Sequence, residues 1–286
     1  YGPEWLDIQT NGFGDHTILN ENSPTLSYWE TIFNRFLNGD TSFVESLLTD
    51  SAQSFFYELV IFDDTTLNKT FHLLREQLDT SYVDYNIPEI NSDDVVGSFR
   101  NGWGLFIINM DATREQILIQ VPHPCDDFIA PYIALDLFFE TDAFGFMIAG
   151  AGREVAWNQI GDYSNSKSIS DPSRYPHTVF QKFQDAVTEP LIGINPHWPL
   201  VFAIHSFDNQ THLERKPIIM AAGGQNSFTT KPIRDITNDH FDIINFTEEY
   251  PIYINEFGSH DPLHVTEDYE VFFDDQCVYD NGEDEF

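Results

Sequence analysis

Residues 116–127 have the sequence QILIQVPHPCDD, an apolar run that ends in a cluster of polar side chains. The run is short and rich in branched residues, which is typical of a buried strand. The polar residues that follow it are His123, Cys125, Asp126 and Asp127. In α/β sheets, ligands bind at the carboxyl ends of the strands, so this stretch places reactive side chains where a site is expected.

A second apolar run, residues 200–204, ends in His205. Two imidazoles and a carboxylate are typical ligands of a catalytic zinc ion, which leaves one position open for water or substrate. The spacing His-x-x-Asp lets His123 and Asp126 come from one turn. Asp127 could ligate instead, with the other acid orienting His123, and the sequence leaves both assignments open. Either carboxylate could also simply cap the helix that follows.

Three further candidates follow predicted strands or begin a predicted helix. Glu256 comes directly after a strand at residues 252–255 and would act as a general base. Arg153 follows a strand at residues 144–149 and suits a substrate carboxylate or a developing oxyanion, with a surface salt bridge as the alternative. His177 would be a proton shuttle, a third imidazole ligand or a capping residue.

Hydrophobic periodicity predicts the other helices and strands. Helices are expected at residues 24–38, 43–48, 127–140 and 179–187, and strands at 55–62, 71–75, 104–109, 116–121, 144–149, 200–204, 217–222 and 252–255. Ser23 followed by Pro24 is typical of a helix N-terminus. Residues 110–114 predict a hairpin between two of the strands. The alternation of strands and helices predicts an α/β fold with a mixed, largely parallel sheet covered on both faces.

The chain has 286 residues, enough for one large α/β domain. Residues 81–94 are polar and acidic with a proline in the middle, which favours a joint between two regions. We therefore expect residues 1–100 to form an N-terminal decoration packed on the core. Residues 101–286 would form the core that carries the site, ending in an acidic tail.

The charge balance is strongly acidic, with 47 acidic and 13 basic residues and a formal net charge of -34. Such a chain repels nucleic-acid phosphates and anionic membrane surfaces, and no apolar run approaches the ~20 residues of a membrane span. We expect neither nucleic acid nor membrane as a partner. The acidic excess and the start at Tyr1 without a basic segment favour a processed protein that is secreted or periplasmic, with a cytoplasmic location as the alternative.

Four motifs carry a family resemblance: residues 119–127, 148–153, 176–180 and 203–207, with the sequences IQVPHPCDD, IAGAGR, PHTVF and AIHSF. In order and spacing they resemble the zinc-dependent amidohydrolases and carboxypeptidases, of which the N-formylglutamate amidohydrolases and the zinc carboxypeptidases are the nearest groups. The resemblance implies a three-layer α/β/α hydrolase fold. It also implies one Zn²⁺ held by His123, one of the two adjacent aspartates and His205, with Glu256 at the position of a catalytic glutamate. An aspartate here stands where the carboxypeptidases have a glutamate ligand.

Together these observations predict a zinc-dependent hydrolase that cleaves an amide or peptide bond. Its substrate would be a small molecule or peptide bearing a carboxylate, which Arg153 would hold. The alternative is a non-catalytic secreted binding or adhesion protein with an aromatic-rich acidic surface, since the chain contains 26 Phe, 12 Tyr and 5 Trp. A cysteine hydrolase based on Cys125 ranks lower, because the sequence shows no third group to orient His123.

Overall fold

The computed structural model describes residues 17, 19–49, 55–77, 99–124, 127, 129–152, 170–173, 175–191 and 199–205, and the backbone of 218–220 and 243–245. The helices are α1 (Pro24–Leu37), α2 (Thr41–Leu48), α3 (Ala130–Glu140) and α4 (Val179–Thr188), which continues into a short 3-10 turn, Glu189–Leu191. The strands are β1 (Tyr57–Asp64), β2 (Lys69–Glu76), β3 (Leu105–Asn109), β4 (Arg114–Val121), β5 (Ala143–Ile148), β6 (Leu200–Ala203), β7 (Ile218–Met220) and β8 (Ile243–Asn245). The predicted strand at 252–255 and the predicted joint at 81–94 lie outside the described residues.

Both long amphipathic helices begin at polar caps. The side chain of Ser23 accepts a hydrogen bond from the backbone N–H of Thr25, and Pro24 occupies the first helical position of α1. In α4, the Thr178 hydroxyl oxygen accepts from the backbone N–H of Gln181 at 3.1 Å. These caps satisfy backbone donors that have no partner inside the helix, so each helix has a defined start.

The main sheet has six strands in the order β1-β2-β3-β5-β4-β6. It is mixed, as expected: β4 runs parallel to both β5 and β6, while β1, β2, β3 and β5 pair antiparallel in succession. The expectation of a largely parallel sheet is wrong for these six strands, because the antiparallel β1–β2 pair joins the same sheet through β3. A separate two-stranded sheet pairs β7 with β8 in parallel.

The predicted hairpin between β3 and β4 is also wrong. These strands are consecutive in sequence, but β5 lies between them and pairs with both. The connection from β4 through α3 to β5 is a parallel crossover, which needs a helix rather than a tight turn.

Helices pack on both faces of the sheet. On one face, α1 and α4 bury aromatic side chains together with strand residues, and Phe33 contacts Phe106 and Phe183 with ring centroids 5.0 and 5.1 Å apart. On the other face, α3 contributes Ala134 and Phe138 to a second cluster. In the central strands β3, β4 and β5, neighbouring residues therefore enter different cores, as the two-residue period of a strand requires. None of the helices in the described residues is long and apolar enough to cross a membrane.

Candidate metal centre

The site is built at the carboxyl end of β4, between its two parallel neighbours. Beyond the last residues of β5 and β6, the backbone N–H of Ala149 donates to the carbonyl of Val121 at 3.0 Å, and that of Ile204 donates to the carbonyl of Gln120 at 2.9 Å. These bonds hold the three strand ends together. His123 and His205 each lie two residues after the end of their strands, β4 and β6, so the sheet itself brings them to one edge.

A tight turn after β4 brings the Asp127 carboxylate back towards His123. The backbone N–H of Asp127 donates to the carbonyl of His123 at 2.8 Å, and the N–H of Ala130 donates to the carbonyl of Asp127 at 2.8 Å. Helix α3 therefore starts only after the turn, at Ala130, with Ile129 at the N-cap position and no side-chain capping bond. Asp127 does not cap the helix, and its side chain is available to the site.

Three side chains converge at this point: His123, Asp127 and His205. Their ligand atoms all lie within 4.8 Å of one another. Asp127 Oδ2 is 2.8 Å from His205 Nδ1 and 3.9 Å from His123 Nδ1, and the two imidazole rings have centroids 5.0 Å apart. This group could hold a metal ion, because it offers two nitrogens and one carboxylate oxygen at short range.

The group is largely shielded from solvent. His123 and Asp127 are 6 % and 4 % exposed, and the His205 side chain is 22 % exposed. Burial lowers the pKa of His205 below its usual value, although the hydrogen bond with Asp127 acts in the opposite direction. The uncharged imidazole is therefore favoured, and this is the form that ligates metals.

A second carboxylate, that of Asp171, contacts the other ring nitrogen of His123, Nε2. His123 Nε2 lies 2.8 Å from Asp171 Oδ1, and Asp171 is 1 % exposed. The same oxygen accepts the backbone N–H of Ser173 at 2.8 Å, which fixes the carboxylate. A histidine with Nε2–H donated to a carboxylate presents its Nδ1 lone pair, and this arrangement commonly orients metal-binding histidines.

The remaining predicted site residues fall into two sets. His177 lies in the described part of the chain, does not belong to the convergent group, and borders a different cavity with Gln181 and Lys182. Asp126, Arg153 and Glu256, together with Cys125, lie outside the described residues.

Sequence reasoning missed Asp171. It lies in a segment with no periodic pattern, and in a chain with 47 acidic residues a single aspartate carries little information. The only local signal is the proline at position 172, which indicates a turn. The contact between Asp171 and His123 is purely tertiary.

Comparison with known proteins gave no match: no family model, no curated protein and no solved structure matches this chain. The resemblance to zinc-dependent amidohydrolases therefore stays a prediction. What the fold and the site define is an α/β protein with a shielded His-Asp-His group at the carboxyl ends of parallel strands.

Proposed function

We propose that this protein is a zinc-dependent hydrolase that cleaves an amide or peptide bond in a substrate bearing a carboxylate. The observation that carries the proposal is the convergence of His123, Asp127 and His205 within 4.8 Å of one another. Side chains from the ends of two parallel strands meet at the sheet edge where α/β enzymes bind their ligands.

The distances within the group fit a zinc ion. Ligand atoms around a tetrahedral zinc with bonds of about 2.0–2.2 Å lie about 3.4 Å apart. The separations of Asp127 Oδ2 from the two imidazole nitrogens, 2.8 and 3.9 Å, fall on either side of that value. Side-chain rotations that move atoms by on the order of 1 Å would therefore form the site.

The charge of the group fits a cation as well. Asp127 is 4 % exposed, and within the described residues its side chain pairs with imidazoles only, not with Lys or Arg. A buried carboxylate is stable only when its charge is compensated. With both histidines neutral as ligands, a bound divalent cation would provide that compensation.

A zinc ion in this position would polarise a scissile carbonyl and lower the pKa of its water to about 7. His123 and His205 would bind through the nitrogens that face Asp127, while Asp171 would accept the Nε2 proton of His123 and hold its ring. The proposal assigns proton transfer to Glu256 and recognition of the substrate carboxylate to Arg153. His177 borders a different cavity, so the scheme assigns it no proton transfer.

We also propose that the fold is a three-layer α/β/α hydrolase fold. The helices on both faces of the six-stranded sheet support a three-layer α/β/α hydrolase architecture, and the order of the site residues along the chain supports the likeness to N-formylglutamate amidohydrolases. The role proposed for Arg153 is supported by its place in the sequence, five residues after the end of β5, because that strand lies beside β4 in the sheet.

The test is a hydrolysis assay on N-acylated amino acids and short peptides with free carboxylates. We expect activity in zinc-loaded protein, loss on chelation and recovery with added zinc. His123→Ala and His205→Ala should each lose about 100-fold or more of kcat/KM, because each removes one of three ligands. His72→Gln is the matched control, since it removes a buried imidazole outside the group. Undiminished hydrolysis in either ligand variant, or activity that chelation leaves intact, would rule the proposal out.

A further inference from the structure

The carboxylate of Asp171, which contacts His123, is carried by a short turn between β5 and α4. We call its described residues, 170–173 and 175, the Asp171 turn. Within it, the backbone N–H of Tyr175 donates to the carbonyl of Asp171 at 2.9 Å. The turn belongs to no helix or strand. Its position, and with it the position of the carboxylate, therefore depends on contacts with other parts of the chain.

Two buried hydrogen bonds hold the first half of the Asp171 turn. The hydroxyl of Ser170 donates to the carbonyl of Gly152, in the segment that follows β5, at 2.9 Å. From α4, Nε2 of Gln181 donates to the carbonyl of Pro172 at 2.7 Å. The residues on either side of Asp171 are thus fixed to two different elements of the core.

A third buried hydrogen bond holds the end of the turn on the N-terminal segment that precedes α1. The hydroxyl of Tyr175 donates to the carbonyl of Leu19 at 2.7 Å, and the two residues are 5 % and 7 % exposed. The segment is itself fixed, because the backbone N–H of Thr17 donates to the carbonyl of Asn101 and the indole N–H of Trp103 donates to the carbonyl of Thr17, both at 2.9 Å. Tyr175 therefore joins the turn to a firmly held acceptor 156 residues away in sequence.

We infer that Tyr175 is a positioning residue for His123: its hydroxyl holds the Asp171 turn, and the Asp171 carboxylate in turn holds the imidazole. The hydrogen bond between Asp171 and His123 is 2.8 Å long, so a small displacement of the turn weakens it. Groups that support a metal-binding histidine act on metal affinity through such displacements. The consequence for metal binding rests on the function proposed above. In this account the N-terminal segment contributes to the site and does more than cover the core.

The test compares Tyr175→Phe with a matched variant, Tyr57→Phe. Each change removes one buried hydroxyl that donates to a backbone carbonyl, since Tyr57 is also 5 % exposed and donates to the carbonyl of Gly104 at 2.8 Å. Both variants should therefore lose similar stability in urea unfolding. Tyr57 lies in β1 and holds the residue before β3 instead of the Asp171 turn. A purely structural role of Tyr175 would make the two variants alike in every other measurement.

The first measurement needs no metal. Nitrogen-15 NMR of chelator-treated protein, at a pH where the imidazoles are uncharged, reports which ring nitrogen of His123 carries the proton. In the wild type and in Tyr57→Phe the proton should be on Nε2, which faces Asp171. In Tyr175→Phe the population with the proton on Nδ1 should rise by about threefold or more, because the hold on Nε2 is weaker.

The second measurement is the affinity for Co²⁺, by competition with a chromophoric chelator. We expect it to fall by about three- to tenfold in Tyr175→Phe and to stay within about twofold in Tyr57→Phe. A wild-type protein that binds no Co²⁺ would overturn the metal centre, and the NMR comparison would still decide the role of Tyr175. Identical tautomer populations of His123 in wild type and Tyr175→Phe, or equal changes in the two variants, would overturn the inference.

Discussion

At the scale of single residues, the candidate metal centre depends on His123, which has a carboxylate on each side of its ring. Its Nε2 lies 2.8 Å from Asp171, and its Nδ1 lies 3.9 Å from Asp127. One nitrogen is fixed by a short hydrogen bond, and the other faces the group that could hold a metal. A ring oriented in this way loses little conformational freedom when an ion binds, so the site is preorganised.

The orienting role of Asp171 leads to a specific prediction. Asp171→Asn keeps the size of the side chain but weakens its hold on His123, so zinc affinity should fall by about 10- to 100-fold. Competition with a chromophoric chelator measures this change. Asp136→Asn on the exposed side of α3 removes the same charge and should leave the affinity unchanged. Equal zinc affinities in wild type and Asp171→Asn would contradict the role given to Asp171.

At the scale of secondary-structure elements, Asp142 ties together three strands at the end of the sheet opposite to the candidate site. It lies between α3 and β5 with φ of 53°, in the left-handed region. Its carboxylate forms an ion pair with Lys69 and accepts hydrogen bonds from Asn109 at 2.8 Å and from the Thr113 backbone at 3.1 Å. Partial burial alone would raise the pKa of Asp142, but these bonds outweigh it and lower the pKa to about 2.

We predict that Asp142→Asn destabilises the protein in a pH-dependent way. Because the folded-state pKa is depressed, the carboxylate contributes stability above the unfolded value near 4 and loses it as pH falls towards 2. At pH 7 the free energy of unfolding should fall by on the order of 2 kcal/mol. Asn tolerates the left-handed backbone, so strain does not obscure the result. Urea unfolding of both proteins at pH 7 and at pH 3 measures it. A difference that does not shrink at low pH would refute the electrostatic account.

Glu76 at the end of β2 has the opposite pH behaviour. It is 4 % exposed, and it accepts hydrogen bonds from the backbone N–H groups of Asn101 and Gly102, the latter at 2.9 Å. Burial raises the pKa of Glu76 to about 7, although these hydrogen bonds act in the other direction. A buried carboxyl thus anchors the segment that leads into β3, and its charged form is unfavourable.

Because the folded-state pKa of Glu76 is raised, the stability that its protonated carboxyl contributes is complete below the unfolded pKa near 4.5. This stability is lost as pH rises through about 7. We expect wild-type stability to decrease with pH across this window with a slope of up to about 1.4 kcal/mol per pH unit from this group. Glu76→Gln cannot ionise, so its slope should be smaller. Urea unfolding at half-unit pH steps from 5 to 8 compares the two, and identical slopes would show that Glu76 does not titrate in this range.

Local patterns predicted most of the described helices and strands, but they missed β8 and did not predict the order of the strands in the sheet. The cap at Ser23 and the apolar spacing of α1 are signals within a few residues, and the predicted start of that helix is confirmed. The partner of β3 is not a local property. Residues 110–114 are suited to a tight turn, yet β5, which comes later in the chain, pairs with both β3 and β4. Competition among strands for partners is decided by packing of the whole sheet, which periodicity does not reveal.

At the scale of the whole molecule, the site depends on contacts between distant parts of the chain. Spacing within one turn and position after parallel strands were enough to predict that His123, Asp127 and His205 are candidates. The position of Asp127 close to both histidines depends on the turn before α3. The contact between Asp171 and His123 depends on a loop whose sequence has no periodic pattern. The sequence therefore predicted candidates that lie within a few residues of a strand end, and it missed Asp171, which does not.

The central claim is that one metal ion binds among His123, Asp127 and His205. It is tested most directly by equilibrium dialysis against zinc, followed by metal analysis of the wild type and of His205→Ala. We predict about one zinc per wild-type chain and a loss of stoichiometric zinc in the variant, since two protein ligands rarely retain this ion. A wild-type protein without stoichiometric zinc, or a variant that binds as much zinc as the wild type, would contradict the account.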